Sequence, residues 1–343
     1  SGVIGDLTVS DDLTVSGDLV PSTPLSHRNM IINGAMQVAQ RGTTSSVGPN
    51  NDNEGVRVHD RWGNALDCTA VTTMSQETDT PSGEGFINSL KIDCTTADAS
   101  VAATDFWILQ QRIEKQNILH IAKGTASAKA LTVSFWVKST VTGTYIIELQ
   151  DAVNDRYLRQ TYTVNVADTW ENKTATFVGD TSGSLGTGTL NGASMDLNFW
   201  LMAGSNYESC TASASWQTTA ANRAVDQVNF FASTSNNFLL TGVQLELGSN
   251  ATPFEHRSYA DELALCQRYY TYGSLDVGRV HGCLYSGSTY IGTIFFKQTM
   301  RSAPTIADLT GSYTGTGSIG TGSFHFSKTS DATYIDNYTA SAE

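Results

Sequence analysis

Charge is the first thing this sequence has little of. Asp, Glu, Lys and Arg make up 15% of the 343 residues, against about 25% in an ordinary soluble domain. Positive charge is the scarcer sign, with 20 Lys and Arg against 33 Asp and Glu, a net charge of −13. A surface that coats a duplex must be cationic to neutralise phosphates, so nucleic acid is excluded as a partner. Long apolar runs are also missing. None reaches the roughly 18 residues that mark a membrane-spanning helix, so no membrane insertion is expected. The opening residues SGVIGDLTVS do not read as a secretory leader, and a first residue of Ser fits either a trimmed initiator Met or a piece of a longer chain. Cysteine is sparse and unpatterned: Cys68, Cys94, Cys210, Cys266 and Cys283 are odd in number and show no C-x-x-C spacing. Cysteine metal centres and dithiol redox chemistry are thereby unsupported. Cys68 and Cys94 sit at apolar positions of alternating runs and read as buried, reduced thiols, in line with synthesis in a reducing cytoplasm.

What fills the space is hydroxyl and amide. Ser and Thr account for nearly a quarter of the chain and Gly adds 30 residues. An apolar fraction of 40% with six Trp still supplies real cores, so global disorder is excluded. Length alone points to about two domains. The composition suits all-β proteins of many short strands, fibres and coats, and speaks against a helical metabolic enzyme.

The first twenty residues carry a six-residue period. Leu7, Leu13 and Leu19 are in register, as are Val9 and Val15, separated by Asp, Thr and Ser. So short a repeat cannot bury its apolar row alone and must stack on further coils or further chains. Three chains wound together would enclose the Leu and Val rows, which predicts a shaft over residues 1–26 and a homotrimer. Pro21 and Pro24 then interrupt the pattern.

From Asn29 to about Phe254 strand follows strand. Leu131, Val133, Phe135 and Val137 alternate with polar residues and Trp136; Tyr145, Ile147 and Leu149 form the next run. Leu158–Val164, Trp170–Val178, Met195–Met202 and Leu239–Leu247 add four more. Period-2 alternation between frequent turn clusters predicts a β-sandwich, with one short helix around Gln116–Ala122 plugging an end. Ser258 followed by Asp261 and Glu262 reads as a helix start, and Tyr259, Leu263, Cys266 and Tyr270 form an apolar stripe. That helix (258–270) either docks on the sandwich or meets its copies at a trimer axis. It divides the sandwich (27–257) from a smaller β-rich part (271–343). In the latter, Val280–Tyr285, Tyr290–Phe296, Pro304–Leu309, Ser323–Ser327 and Ala332–Tyr338 are expected strands, and Gly311–Gly322 an adaptable Gly/Thr/Ser loop.

Several blocks together resemble known proteins. The run Ala130–Thr140, with Gly143-Thr-Tyr and Thr169–Thr174, is similar to jelly-roll carbohydrate-binding modules of the family 4/9 type. Asn29–Gly42, His59–Trp62, Gln110–Glu114, Gly242–Glu246 and Thr252–Tyr259 resemble a domain of bacteriophage tail fibres, especially marine ones. The matched blocks span about residues 28 to 270. The resemblance implies an all-β fold with a jelly-roll sandwich, and a virion tail fibre that attaches to host polysaccharide or lipopolysaccharide. Other virion proteins would join at its N-terminus. It implies no catalytic residues and no cofactor. A polysaccharide-cutting tailspike and a purely structural virion part are the rival expectations.

Sugar recognition needs flat apolar faces rimmed by amides. Trp136 and Trp200 lie out of phase with the core set, and Asn198 shares the face of Trp200. Trp216 is followed by Gln217. These are the central candidates, unless that second face is covered by a neighbour or a loop. Tyr285, Tyr290 and Tyr313, with His325, are the candidates in the distal part, where it would meet the host. For hydrolysis nothing marks a working carboxylate pair: Asp151 with Asp155, and Glu246 with Glu255, are merely near in sequence. No G-x-S-x-G or H-E-x-x-H occurs. Asn50–Gly55 offers oxygen ligands but lacks a full calcium loop and reads as a polar turn.

Overall fold

In a computed structural model of the chain, the described residues are 26–49, 58–186, 188–208, 215–274, 280–281, 283–286, 289–313, 315–328 and 334–342. The six-residue repeat and the Asn50–Gly55 turn lie outside them.

The alternating runs form strands as expected. In chain order these are β1 (Thr44–Val47), β2 (Gly63–Asp67), β3 (Val71–Glu77), β4 (Ser89–Thr96), β5 (Phe106–Glu114) and β6 (Leu131–Ser139). They continue with β7 (Gly143–Asp151), β8 (Arg156–Val164), β9 (Glu171–Phe177), β10 (Ala193–Ala203) and β11 (Asn237–Leu247). A six-stranded sheet runs β1-β3-β4-β11-β6-β9 and a five-stranded sheet β2-β5-β10-β7-β8, every pairing antiparallel. Each sheet turns one face inward. Leu90, Ile92, Val133, Phe135 and Val137 from the first meet Tyr145, Ile147, Leu149, Leu197 and Phe199 from the second in one apolar core. Phe135 stands edge-on to both Tyr162 and Phe199 at 5.0 Å, the geometry that ring quadrupoles favour. Cys68 and Cys94 are buried and free, as their apolar phase predicts, and burial pushes the Cys68 thiol up to about 12. The helix expected over 116–122 is instead two single 3₁₀ turns, Lys115–Asn117 and Leu119–Ile121.

The blocks that carry the tail-fibre resemblance converge on one joint. The Asn29 side chain donates to the Val243 carbonyl and accepts from the Ile31 and Leu245 N–H groups. Asn33 clasps Val38 and the Asp60 carbonyl, Trp62 donates to the Asn33 carbonyl, and Gln111 pairs both ways with the Ile32 backbone. Two glycines make this closeness possible. A Cβ on Gly34 would sit 2.1 Å from the Val243 oxygen. Gly242 holds a left-handed φ of +62° where β11 bulges between Thr241 and Gln244. The network is a substitute for a β-ladder: side-chain amides satisfy the backbone of an irregular segment that would otherwise be buried unpaired.

Helix α1 (Tyr259–Gln267) closes the joint. The Ser258 hydroxyl accepts from the Asp261 N–H, the cap its sequence predicts. Cys266 and Tyr269 pack on Ile32 and Val38, with Leu263 beside them, so the helix docks on its own chain. The predicted stripe is corrected at one end: Tyr259 is exposed, and the first turn meets the joint instead through Glu262, which is buried and accepts the Asn33 N–H.

The remaining strands are β12 (Tyr270–Ser274), β13 (Val280–His281), β14 (Cys283–Ser286), β15 (Thr289–Phe295), β16 (Thr305–Ser312), β17 (Gly315–Ile319), β18 (Ser323–Lys328) and β19 (Tyr334–Ser341). Two small sheets result, β12-β19-β13 with β16 on β19, and β14-β15-β18-β17. They share a core of Ile294, Phe296, Met300, Phe324, Phe326 and Tyr338. The expected Gly/Thr/Ser loop is therefore corrected in part: its start lies in β16 and its middle in β17, the latter paired to β18. Glycine's poor strand preference is overridden there by the ladder that β18 offers. Arg301 ties this part to the rest, donating to the Asn191 carbonyl, while its own N–H reaches the Arg268 carbonyl.

Candidate functional site

Trp200 and Asn198 lie on the outer face of the five-stranded sheet, as their alternation with the core residues predicts. They do not, however, meet solvent. Trp200 is 0% and Asn198 1% exposed, because the chain between β10 and β11 folds back over them. Glu148, also fully buried, accepts from the Trp200 indole (3.2 Å) and from Asn198 Nδ2 (2.9 Å). Arg223 reaches it with Nε and Nη2 at 2.8 and 2.7 Å, and adds Gln150 at 2.9 Å. The guanidinium lies over the Tyr157 ring at 4.2 Å and the Trp200 ring at 5.0 Å. Burial alone would lower the Arg223 pKa, but Glu148, Tyr157 and Tyr207 outweigh it and raise it. The aromatic and amide face expected for a sugar is thus filled by the chain's own cation.

The other expected positions do not gather. Gln217 pairs through its backbone with Tyr157 at the edge of β8, at 2.7 and 2.9 Å. Trp216 is half-buried against the core and donates to the Val178 carbonyl. Trp136 is half-buried on the outer side of the six-stranded sheet, beside Phe86 and Gly242. Tyr313 packs on the distal core. Tyr285 and Tyr290 fall in β14 and β15, with side chains outside the described residues. Among the acids, Asp151 is buried on Lys123, while Glu246 accepts from Thr252 N–H and Oγ1. Neither is paired with the acid named beside it.

An open concavity lies elsewhere among the described residues, at the joint. A groove of about 820 Å³ runs between the first described residues, the two 3₁₀ turns, α1 and Gln298–Thr299. Met30, Ile32, Ala264 and Leu265 give it an apolar floor; His27, Asn117, His120, His256, Gln298 and Thr299 form the rim. Its charged groups point sideways into the joint. Glu255 accepts the Asn29 N–H at 2.9 Å. Burial works to raise that carboxyl, but the Asn29 and His27 N–H groups with Arg257 and Arg28 hold it below its ordinary value. Arg257 donates to the Ile31 and Asn29 carbonyls and lies 3.5 Å from Glu262. Arg268 grips Glu114 at 3.2 and 3.1 Å, and Asp261 accepts the Ser258 hydroxyl. His120 is held below its ordinary value by its partial burial and by Lys129. His256 is packed between Phe86 and Phe254. What remains for a ligand is an apolar floor rimmed by imidazoles, amides and hydroxyls, a surface that reads hydroxyl groups. Among the described residues no group of three or more His, Cys, Asp or Glu is placed to hold a metal ion.

Sequence reasoning missed this groove. Its three histidines come from three distant segments, and only the folded joint brings them together. The resemblance blocks were the available signal, because two of them, around Asn29 and around Glu255, form one wall.

No known family model matches the chain, and no curated protein matches it. Solved structures give distant likenesses. The enzymatically active domain of bacteriophage CBA120 tailspike protein 4 is 13% identical over 64% of this chain and 21% of its own, with a TM-score of 0.35. This chain thus spans about a fifth of that protein. A family 4 carbohydrate-binding module is 12% identical over 63% and 98% of the two chains, at 0.31. A putative sugar binding protein from Bacteroides thetaiotaomicron is 11% identical over 64% and 100%, at 0.35. No family assignment follows from similarity at this level.

Proposed function

We propose that this chain is a non-enzymatic adhesin that binds glycans in the groove at the joint and works as a homotrimeric virion tail fibre. The groove carries the reading. An apolar floor can take the C–H face of a sugar ring, and imidazole, amide and hydroxyl groups can take its hydroxyls. Its volume falls in the range that suits an oligosaccharide segment rather than an ion. The charge-poor composition agrees, since a surface of hydroxyls and amides discriminates neutral sugars without strong long-range fields. The six-residue repeat over residues 5–20 supports the trimer. Three weak sites on one body raise effective concentration without a single tight one.

The groove carboxyls, Glu255 and Asp261, both have structural duties, which favours binding over hydrolysis. A glycan array with the purified protein tests the reading, with the double variant His120→Ala/Gln298→Ala alongside. Binding to host surface polysaccharide that the variant loses supports it. Steady release of new reducing ends from that polysaccharide would replace the adhesin with a depolymerase. Undiminished binding by the variant would move the site elsewhere. Light scattering that gives a monomer at micromolar concentration would remove the trimer.

A further inference from the structure

A small cavity lined by Trp216, Gly179 and Asp180 has in its wall a lysine that solvent barely reaches. The Lys123 side chain is 1% exposed, and its ammonium is ringed by oxygen. Asp151 Oδ2 is at 2.5 Å and Asp180 Oδ2 at 3.2 Å; the Gly183 and Ser182 carbonyls are at 3.3 and 3.4 Å. Both carboxylates are themselves buried, at 0% and 2%. They are held in place by other groups: Asp151 by the Val153 and Asn154 N–H and the Asn154 amide, Asp180 by the Ser182 N–H and a two-pronged Arg156.

Three segments distant in sequence meet on this one ammonium: the turn at 122–124, the β7–β8 turn, and residues 180–183 after β9. Carboxylates and carbonyls converging on a point charge form the donor set that hard cations take in proteins. The charges also balance, two carboxylates against one ammonium and one guanidinium. We infer that these oxygens form a cation-binding cage which the chain occupies with its own Lys123 ammonium, and that without the lysine the cage takes Ca²⁺ from solution. The ligands are already oriented by groups other than Lys123, so the cage outlasts its occupant. This inference does not rest on the glycan reading.

The test is thermal unfolding of the full chain with and without millimolar CaCl₂. Wild type is expected to be indifferent to CaCl₂ and to EDTA. Lys123→Ala, which leaves two carboxylates buried with too little positive charge, is expected to melt roughly 10 °C lower. CaCl₂ should return most of that loss, and EDTA should remove the gain. Terbium, excited through Trp216 at the cage wall, should luminesce with Lys123→Ala and stay dark with wild type. In Lys123→Ala/Asp151→Asn, one carboxylate fewer, both the thermal recovery and the luminescence should be lost. Should Lys123→Ala be insoluble, expression with added CaCl₂ decides: soluble protein only with calcium supports the cage, and equal insolubility overturns it. Calcium-independent melting of a folded Lys123→Ala, or equal recovery in the double variant, would also overturn it.

Discussion

The outer face of the five-stranded sheet and the groove at the joint are built from the same materials, and one is shut while the other is open. Both hold aromatic or imidazole rings, amides, carboxylates and guanidinium groups. On the sheet face the guanidinium of Arg223 comes down onto Glu148 and fills the space in front of Trp200 and Asn198. At the joint the guanidinium groups of Arg257 and Arg268 leave the groove sideways, toward carbonyls and carboxylates in its walls. The direction from which a counter-charge arrives decides whether a polar face becomes interior or site. A buried carboxylate must be answered by something. If the answer comes from above, the face closes.

The sharpest way to break this comparison is to remove the buried anion. Glu148→Ala leaves Arg223 buried without its carboxylate, and we expect a loss of about 3–5 kcal/mol in unfolding free energy by urea titration. Replacing both residues, as Glu148→Met/Arg223→Met, should recover much of it, because an apolar pair of similar volume needs no counter-charge. A Glu148→Ala protein as stable as wild type would mean the face is not locked by this pair.

Acid should probe the joint from beneath. His59 is fully buried, and burial pushes its pKa down to about 3. The unfolded chain, with an ordinary histidine, takes up the proton first as pH falls. This contribution to stability is therefore intact above about pH 6.5 and drains away as pH drops toward 3, reaching roughly 4 kcal/mol. Unfolding free energies measured across that window should fall with pH in wild type and fall less steeply in His59→Gln. Parallel pH profiles for the two would remove His59 from the account.

Substitutions on the groove rim should behave oppositely. His120→Ala and Gln298→Ala are at exposed positions, so each should leave the melting temperature within a degree or so and weaken glycan binding by about tenfold. Isothermal titration beside a melting curve separates the two readouts. A rim change that costs stability and spares binding would invert the assignment of open and closed.

Much of this architecture is legible in the residues. Alternation in Leu131–Val137 and Met195–Leu201 fixes the strands and tells which side chains face the core, including the outward phase of Trp200. What it cannot carry is the partner, because Arg223 lies 75 residues from Glu148 and no local pattern links them. The same holds for the groove, whose walls come from His27, His120 and His256. A local signal did exist for the joint: Asn33-Gly34 and Gly242 look like turn residues. Their use is a close backbone approach, Gly34 against Val243, which only the folded chain displays. At Gly315–Ile319 local preference misleads, since a flexible composition is recruited into a strand by its neighbour.

The smallest predicted effect tests whether groove and sandwich respond separately. Helix α1 supplies part of the groove floor through Ala264 and Leu265, and its first turn is fixed by the Ser258 hydroxyl. Ser258→Ala removes that cap, which is worth about 1 kcal/mol to the helix. The helix is held to the joint by Glu262 on the Asn33 N–H and by Cys266 and Tyr269 at its far end, so loss of the cap loosens the first turn and leaves the dock in place. Amide hydrogen exchange should quicken over residues 259–263 and stay unchanged in β6, β7 and β10. Glycan affinity should fall by a few-fold at most, since the floor moves while the rim on the 3₁₀ turns does not. Exchange that quickens in the sandwich strands as well would show the joint and the sandwich to be one cooperative unit, and the contrast between an adjustable groove and a locked face would then fail.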